Sequence, residues 1–139
     1  MFQLKNNPNE VWLEIGGGSN PVLHPRCKGG PDVCVDVRAC FDAENRQCVD
    51  FQHDANVLPL PLKDAEFDGA VMNFCLEHFG FAHVPKLLAE LNRVVKPGGS
   101  LFLTLPNQAA QFNWIEVNQS GWDGKNLFMS ASELIYGSQ

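Results

Sequence analysis

The sequence predicts an α/β domain built on an open, mostly parallel sheet flanked by helices. Three observations carry this. Short runs that are apolar on both faces, "VWLEI", "DVCVDV" and "FDGAVMNF", recur along the chain, as strands covered on two sides do. One strongly amphipathic helix, "HVPKLLAELNRVVKPGG", follows the third run, where a parallel sheet needs a crossover. A glycine cluster stands directly after the first run, where the absence of Cβ atoms lets a ligand approach the backbone. The chain has 139 residues, enough for one domain with one core, and no linker or repeat divides residues 1–139.

Taken in order, residues 11–15 form the first strand and end at Gly16-Gly17-Gly18. The following "SNPVLHPRCKGGP" holds three prolines and two glycines, which leaves little room for a helix. Residues 32–37 form the second strand and 46–51 a weaker third. "LPLPLKDAEF" is a proline-bearing loop, and residues 67–74 form the fourth strand. In the helix, Val84, Leu87, Leu88, Leu91 and Val94 or Val95 recur at helical spacing, and Pro85 suits the first turn. Pro97-Gly98-Gly99 should stop it and turn the chain into "SLFLTL", the fifth strand. Residues 108–139 are polar and lack a strong period. They read as a tail or lid, with a short helix at 130–137 capped by Ser130 or Ser132.

Composition excludes several functions. The net charge is −6 and the ten Lys and Arg form no basic run, so neither nucleic acid nor an anionic membrane is an expected partner. No apolar stretch approaches the ~20 residues that span a bilayer. "MFQLKNNPNE" lacks the apolar core of a signal peptide, so a cytoplasmic protein with reduced thiols is expected. The five cysteines contain no CxxC pair. They read as small apolar core residues, so no metal is expected; the alternative is a zinc site from Cys27, Cys34, Cys40 and His24.

Three cofactors are met by glycine turns after a first strand: nucleoside triphosphates, dinucleotides and S-adenosylmethionine. A phosphate loop needs Gly-Lys-Ser/Thr, which is absent. The dinucleotide fingerprint needs a third glycine where Pro21 stands, and a helix after it.

Five motifs in order resemble the class I S-adenosylmethionine-dependent methyltransferases, in a compact form similar to methyltransferase type 11. "LEIGGGSN" resembles the family's first motif, with Asn20 in place of its last glycine. "VDV" places Asp36 at the end of strand two. "HDANVLPLPLKDAEFDGAV" resembles the family's run into strand four, "NFCLEHF" its continuation, and "LLAELNRVVKPGGSLFLTLPN" its helix, turn and fifth strand. The resemblance covers residues 11–107. It implies a Rossmann-like sheet of about five strands in the order 3-2-1-4-5, lacking the family's last strands.

It also implies S-adenosylmethionine as cofactor. Gly16, Gly17 and Gly18 would border its amino-acid moiety and ribose, and Asp36 would accept both ribose hydroxyls. Asp54 would contact the adenine amino group, with the Ala55 N–H near the ring. Glu14 would help to orient the methionine ammonium, and Asn73 and Phe74 would lie beside the methionine portion. His78 is the candidate general base. Asp68 and Glu77 read as structural, and His53 and His83 as loop residues. "Asn-Pro-Pro-Tyr" is absent, with Asn73-Phe74-Cys75-Leu76 in its place, so methylation of an exocyclic base amine is not expected. By elimination the reaction is methyl transfer to oxygen on a small-molecule or sugar-like acceptor. Phe112, Trp114, Trp122 and Tyr136 are candidate walls of the acceptor pocket. Two other readings stay open: a module that binds S-adenosylmethionine without catalysis, and a nicotinamide dinucleotide-binding protein. A fifth strand at an open edge must be covered by the tail around "QFNWIEV" or meet a second copy in a homodimer.

Overall fold

A computed structural model describes residues 7–23 and 31–107. The parts of the reading that fall on 24–30 and 108–139 lie outside the described residues. They comprise His24, Cys27, the lid, its helix and its four aromatic residues.

The strands are β1 (Trp12–Ile15), β2 (Val33–Asp36), β3 (Phe51–Gln52), β4 (Phe67–Asn73) and β5 (Val95–Thr104). All pairings are parallel and the spatial order is β3-β2-β1-β4-β5, as the resemblance implied. The described residues hold one α-helix, α1 (Val84–Val94), and a single 3-10 turn at Leu76–His78. None of these helices is long and apolar enough to cross a membrane.

Period-two alternation splits the central strands between two cores. Leu13 and Ile15 of β1 join Ala70 and Met72 of β4 under α1, which contributes Leu87, Leu91 and Val94. On the opposite face Trp12 and Val71 pack with Leu23 of the loop after β1. Gly69 makes room there, since a Cβ on it would lie 2.6 Å from the Trp12 ring. Glu14 also points to that face and is fully buried. Its carboxylate accepts the N–H groups of Val22 and Leu23, both at 2.9 Å. Residues 21–23, with Pro21 at their start, thus cover the sheet on that face. Burial pushes the Glu14 carboxyl above its ordinary range, against the pull of those two N–H donors.

Two boundaries differ from the sequence expectation. Strand three is confined to Phe51–Gln52, because residues 46–48 turn back on 40–42 instead. Phe41 bridges Gln47 antiparallel, the Asp42 N–H donates to Arg46 O at 3.0 Å, and the Cys48 N–H donates to Cys40 O at 2.8 Å. The Asp42 carboxylate ties this hairpin by accepting the Glu44 and Arg46 N–H groups and pairing with the Arg46 guanidinium. Asn45 takes the left-handed conformation the turn requires, at φ 59°. The second difference is at α1, which ends at Val94, three residues before Pro97. Val95 already pairs with Phe67, and Lys96–Gly99 bulge out before Ser100 pairs with Gly69. The Lys-Pro-Gly-Gly segment therefore interrupts β5 rather than ending the helix.

Candidate cofactor site

In an open parallel sheet, ligands collect at the carboxyl ends of strands where the strand order reverses. Here the chain runs outward from β1 to β3 and then returns beside β1 as β4, so the reversal lies between β1 and β4. Gly16 follows β1 at φ +74°, and a Cβ on it would overlap Cys75 Sγ from the segment after β4. Glycine is required there twice over, by its backbone angle and by the thiol. Gly18, at φ +59°, has open space where a Cβ would be.

Asp36 ends β2 and is buried. Its Oδ2 accepts the Gly18 N–H at 3.1 Å and its Oδ1 accepts the Arg38 N–H at 3.0 Å. Each carboxylate oxygen carries two lone pairs, so each keeps one for a ligand. The glycine loop and the β2 end are thereby locked into one wall.

A second wall comes from residues 53–57. Asp54 Oδ1 accepts both the backbone N–H and the side-chain amide of Asn56, at 2.9 and 3.0 Å. That Asx turn holds the Asp54 carboxyl below its usual range, the Asn56 backbone N–H being the main cause. Oδ2 has no hydrogen-bond partner among the described residues. Ala55 is buried beside it.

Between the walls lies a cleft of about 400 Å³, lined by Ile15, Gly16, Gly18, Asp36, Val37, Arg38, His53–Asn56, Phe74, Cys75, His78 and Phe79. The size is that of an ordinary small-molecule site. Of the expected residues, Gly16, Gly18, Asp36, Asp54, Ala55, Phe74 and His78 meet in it. Glu14, Gly17 and Asn73 are not among its lining residues. Glu14 braces the loop from below, and a Cβ on Gly17 would press 2.9 Å from Glu14 Oε1. Asn73 Oδ1 instead accepts the Thr104 hydroxyl at 2.6 Å, which joins the ends of β4 and β5. Phe74 stands at φ +46°, a rare conformation for a bulky residue, with its side chain 56% exposed. Its N–H donates to Thr104 Oγ1 at 3.0 Å. The His78 imidazole is exposed and has no hydrogen-bond partner among the described residues.

Cys75 is buried at the floor of the cleft. Burial pushes its thiol up to about 12, helped by the carboxylates of Glu77, Asp36 and Glu14. Glu14 and Asp36 accept backbone N–H groups, while Glu77 Oε2 is buried and has no hydrogen-bond partner among the described residues. Sequence reasoning gave Cys75 no place here. A cysteine in a loop carries no local signal, and only the β1–β4 contact brings it under the glycines. Among the described residues no group of three His, Cys, Asp or Glu is placed to hold a metal ion.

A family model described as "Methyltransferase domain" matches residues 13–103. The chain is 49% identical over 106 residues to a 2-phytyl-1,4-naphtoquinone methyltransferase of Synechocystis sp., covering 66% of this chain and 43% of that protein. It is 28% identical over 144 residues to a ubiquinone/menaquinone biosynthesis C-methyltransferase of Bordetella avium, covering 93% and 56%. The chain thus spans about half the length of these relatives. Among solved structures it resembles one of a complex between a Haloferax volcanii methyltransferase activator and a methyltransferase. The TM-score is 0.51 and the identity 17%, over 78% of this chain and 51% of that one, a likeness of fold. The sheet order, the glycine turn seated on the segment after β4, and the family match converge: the chain belongs to the class I S-adenosylmethionine-dependent methyltransferases.

Proposed function

We propose that this chain binds S-adenosylmethionine in the cleft and takes part in methyl transfer to a small-molecule acceptor. The observation that carries the reading is Asp36, anchored by Gly18 and Arg38 with one lone pair free on each oxygen. That geometry suits a vicinal diol such as a ribose. The rest of the cleft fits the same ligand. Asp54 and the Ala55 N–H face an adenine from the second wall, and Gly16–Gly18 leave backbone room for an amino-acid moiety. When bound, the cofactor supplies a methyl group on a sulfonium. Glu14 serves this site through the loop it braces.

The acceptor reading moves away from a sugar. Phe74, Phe81 and Leu105 expose apolar surface after β4 and β5, and the relatives' names specify quinones and, in one case, methylation at carbon. An apolar ring-bearing acceptor methylated at carbon fits these better than the expected oxygen of a sugar-like molecule. His78, at the rim, is the side chain assigned to take the acceptor's proton.

The test is calorimetry with S-adenosylhomocysteine and NAD, then turnover of labelled S-adenosylmethionine on quinols and sugars. Asp36→Ala should weaken S-adenosylhomocysteine binding by roughly 1–3 kcal/mol. Wild-type protein that binds neither S-adenosylmethionine nor S-adenosylhomocysteine overturns the reading. Binding without turnover on any acceptor would leave a cofactor-binding module in place of an enzyme.

A further inference from the structure

We propose that His83 is a positioning residue of the site: it holds the Asp54–Ala55 turn against the cleft by donating a hydrogen bond from Nε2 to the Ala55 carbonyl. The inference rests on the cofactor reading above and assigns His83 to the adenine end of that ligand.

The two atoms are 2.8 Å apart. A carbonyl oxygen can only accept, so Nε2 must carry the proton. The backbone of His83 is fixed by α1, for which it is the N-cap, and its carbonyl accepts the N–H groups of Lys86 and Leu87. Its side chain makes no capping bond. Instead the ring stacks on Phe79, with centroids 5.7 Å apart and planes 25° from parallel. Phe79 is itself a buried wall of the cleft. The anchored helix start therefore grips the turn 28 residues upstream through one imidazole.

The turn shapes itself through bonds inside residues 53–57: the Val57 N–H donates to Asp54 O at 2.8 Å, the Asx bonds of Asp54 close the same four residues, and His53 Nε2 meets Val57 O at 2.8 Å. Its start is tied to the end of β2, where the His53 N–H donates to Asp36 O at 2.9 Å. The Ala55 carbonyl is the point at which the turn is tied to α1. Its N–H and the Asp54 carboxylate are the groups an adenine would meet, so a shift of this carbonyl moves both together.

Two substitutions separate the hydrogen bond from the ring. His83→Phe keeps the stack on Phe79 and deletes the donor; His83→Gln restores an N–H donor without the ring. The readouts on the full chain are affinities for S-adenosylhomocysteine and S-inosylhomocysteine, whose base has a carbonyl in place of the 6-amino group and a protonated N1, and amide exchange at residues 54–57. His83→Phe should bind S-adenosylhomocysteine about fivefold more weakly, the worth of one neutral hydrogen bond. The preference for the adenine ligand should contract by a similar factor, and exchange at 54–57 should speed up. His83→Gln should recover most of both. Unchanged affinity and exchange in His83→Phe overturns the proposal, as does an equal loss for both ligands with slow exchange retained. If wild-type protein binds neither ligand, the cofactor reading fails. Faster exchange in His83→Phe would then still bear out the tether, and unchanged exchange would remove it.

Discussion

At Gly16 one methyl group would be enough to damage the site. An alanine there must hold φ near +74° and displace the Cys75 thiol. The backbone part alone costs roughly 1–2 kcal/mol. Gly16→Ala should lower the melting temperature and abolish S-adenosylhomocysteine binding in calorimetry. Adding Cys75→Ala should recover part of the stability, since it removes the overlap but not the backbone strain. Full additivity of the two changes would refute the contact. Cys75 makes a second prediction, on pH. Its thiol is raised from 9.0 to about 12 in the folded protein. Between those values the unfolded chain ionises and the folded one does not, so this group's contribution is full below pH 9 and is lost as pH climbs toward 12. The stability difference between wild type and Cys75→Ala, measured by urea unfolding, should shift against wild type across that window. A pH-independent difference would refute it. Gly16 and Asp36 were legible in the sequence because backbone angle and strand position select those residue types. Cys75 and His83 were not, because their places depend on segments that approach only in the fold.

The element that most needs tertiary support is the proline loop between the Asp54–Val57 turn and β4. Arg93 on α1 supplies that support. Its guanidinium donates to Leu60 O, Leu62 O, Asp64 Oδ1 and the Glu90 carboxylate, while Glu90 Oε1 accepts the Leu60 N–H at 2.7 Å. Arg93→Ala should cost about 2–4 kcal/mol, because it frees two carbonyls and leaves the buried Glu90 short of a partner. The exposed Asp64 adds little to that figure. Arg93 also holds the Glu90 carboxyl below its ordinary value of 4.5. A lowered value contributes stability above pH 4.5 that is lost as pH falls further. The gap between wild type and Arg93→Ala in thermal unfolding should therefore narrow on acidification, and a constant gap would argue against the ion pair. The helix itself was read correctly from its apolar spacing. Its end was not, since Val95 is as apolar as Val94 and only pairing with Phe67 assigns it to β5. Strand three was misplaced for a similar reason. Val49 and Cys48 are buried as a strand's would be, but in a hairpin return.

For the whole molecule, the open question is the free edge of β5. Among the described residues the sheet ends there, with Leu101 44% and Leu105 51% exposed. A groove of about 420 Å³ runs beside it, between Leu88 and Leu91 of α1 and the Lys96–Leu101 stretch. Unpaired strand edges recruit other strands. If a second copy covers this one, sedimentation of the 139-residue chain should give a concentration-dependent mass above 15.4 kDa, and Leu101→Lys should return the monomer. A single 15.4 kDa species at all concentrations removes the homodimer.

The sequence by itself determined a parallel α/β sheet with a glycine turn after its first strand, from apolar runs and a local turn signal. The strand order and the place of the cleft came from the resemblance of five motifs to the methyltransferase family, and the structure shows that order. The same motifs also named Asp36, Asp54 and the glycines, whose chemistry follows from their own residue type. The tertiary structure decided what each acid does. Glu14 stands in the expected first motif but is fully buried away from the cleft, where it accepts the Val22 and Leu23 N–H groups. Asn73 turns to Thr104, while Glu77 Oε2 has no partner among the described residues. Hydrogen-bond partners are chosen by whatever backbone arrives nearby, and here the N–H groups of Val22 and Leu23 arrived over β1. That choice is not written in the residues that make it.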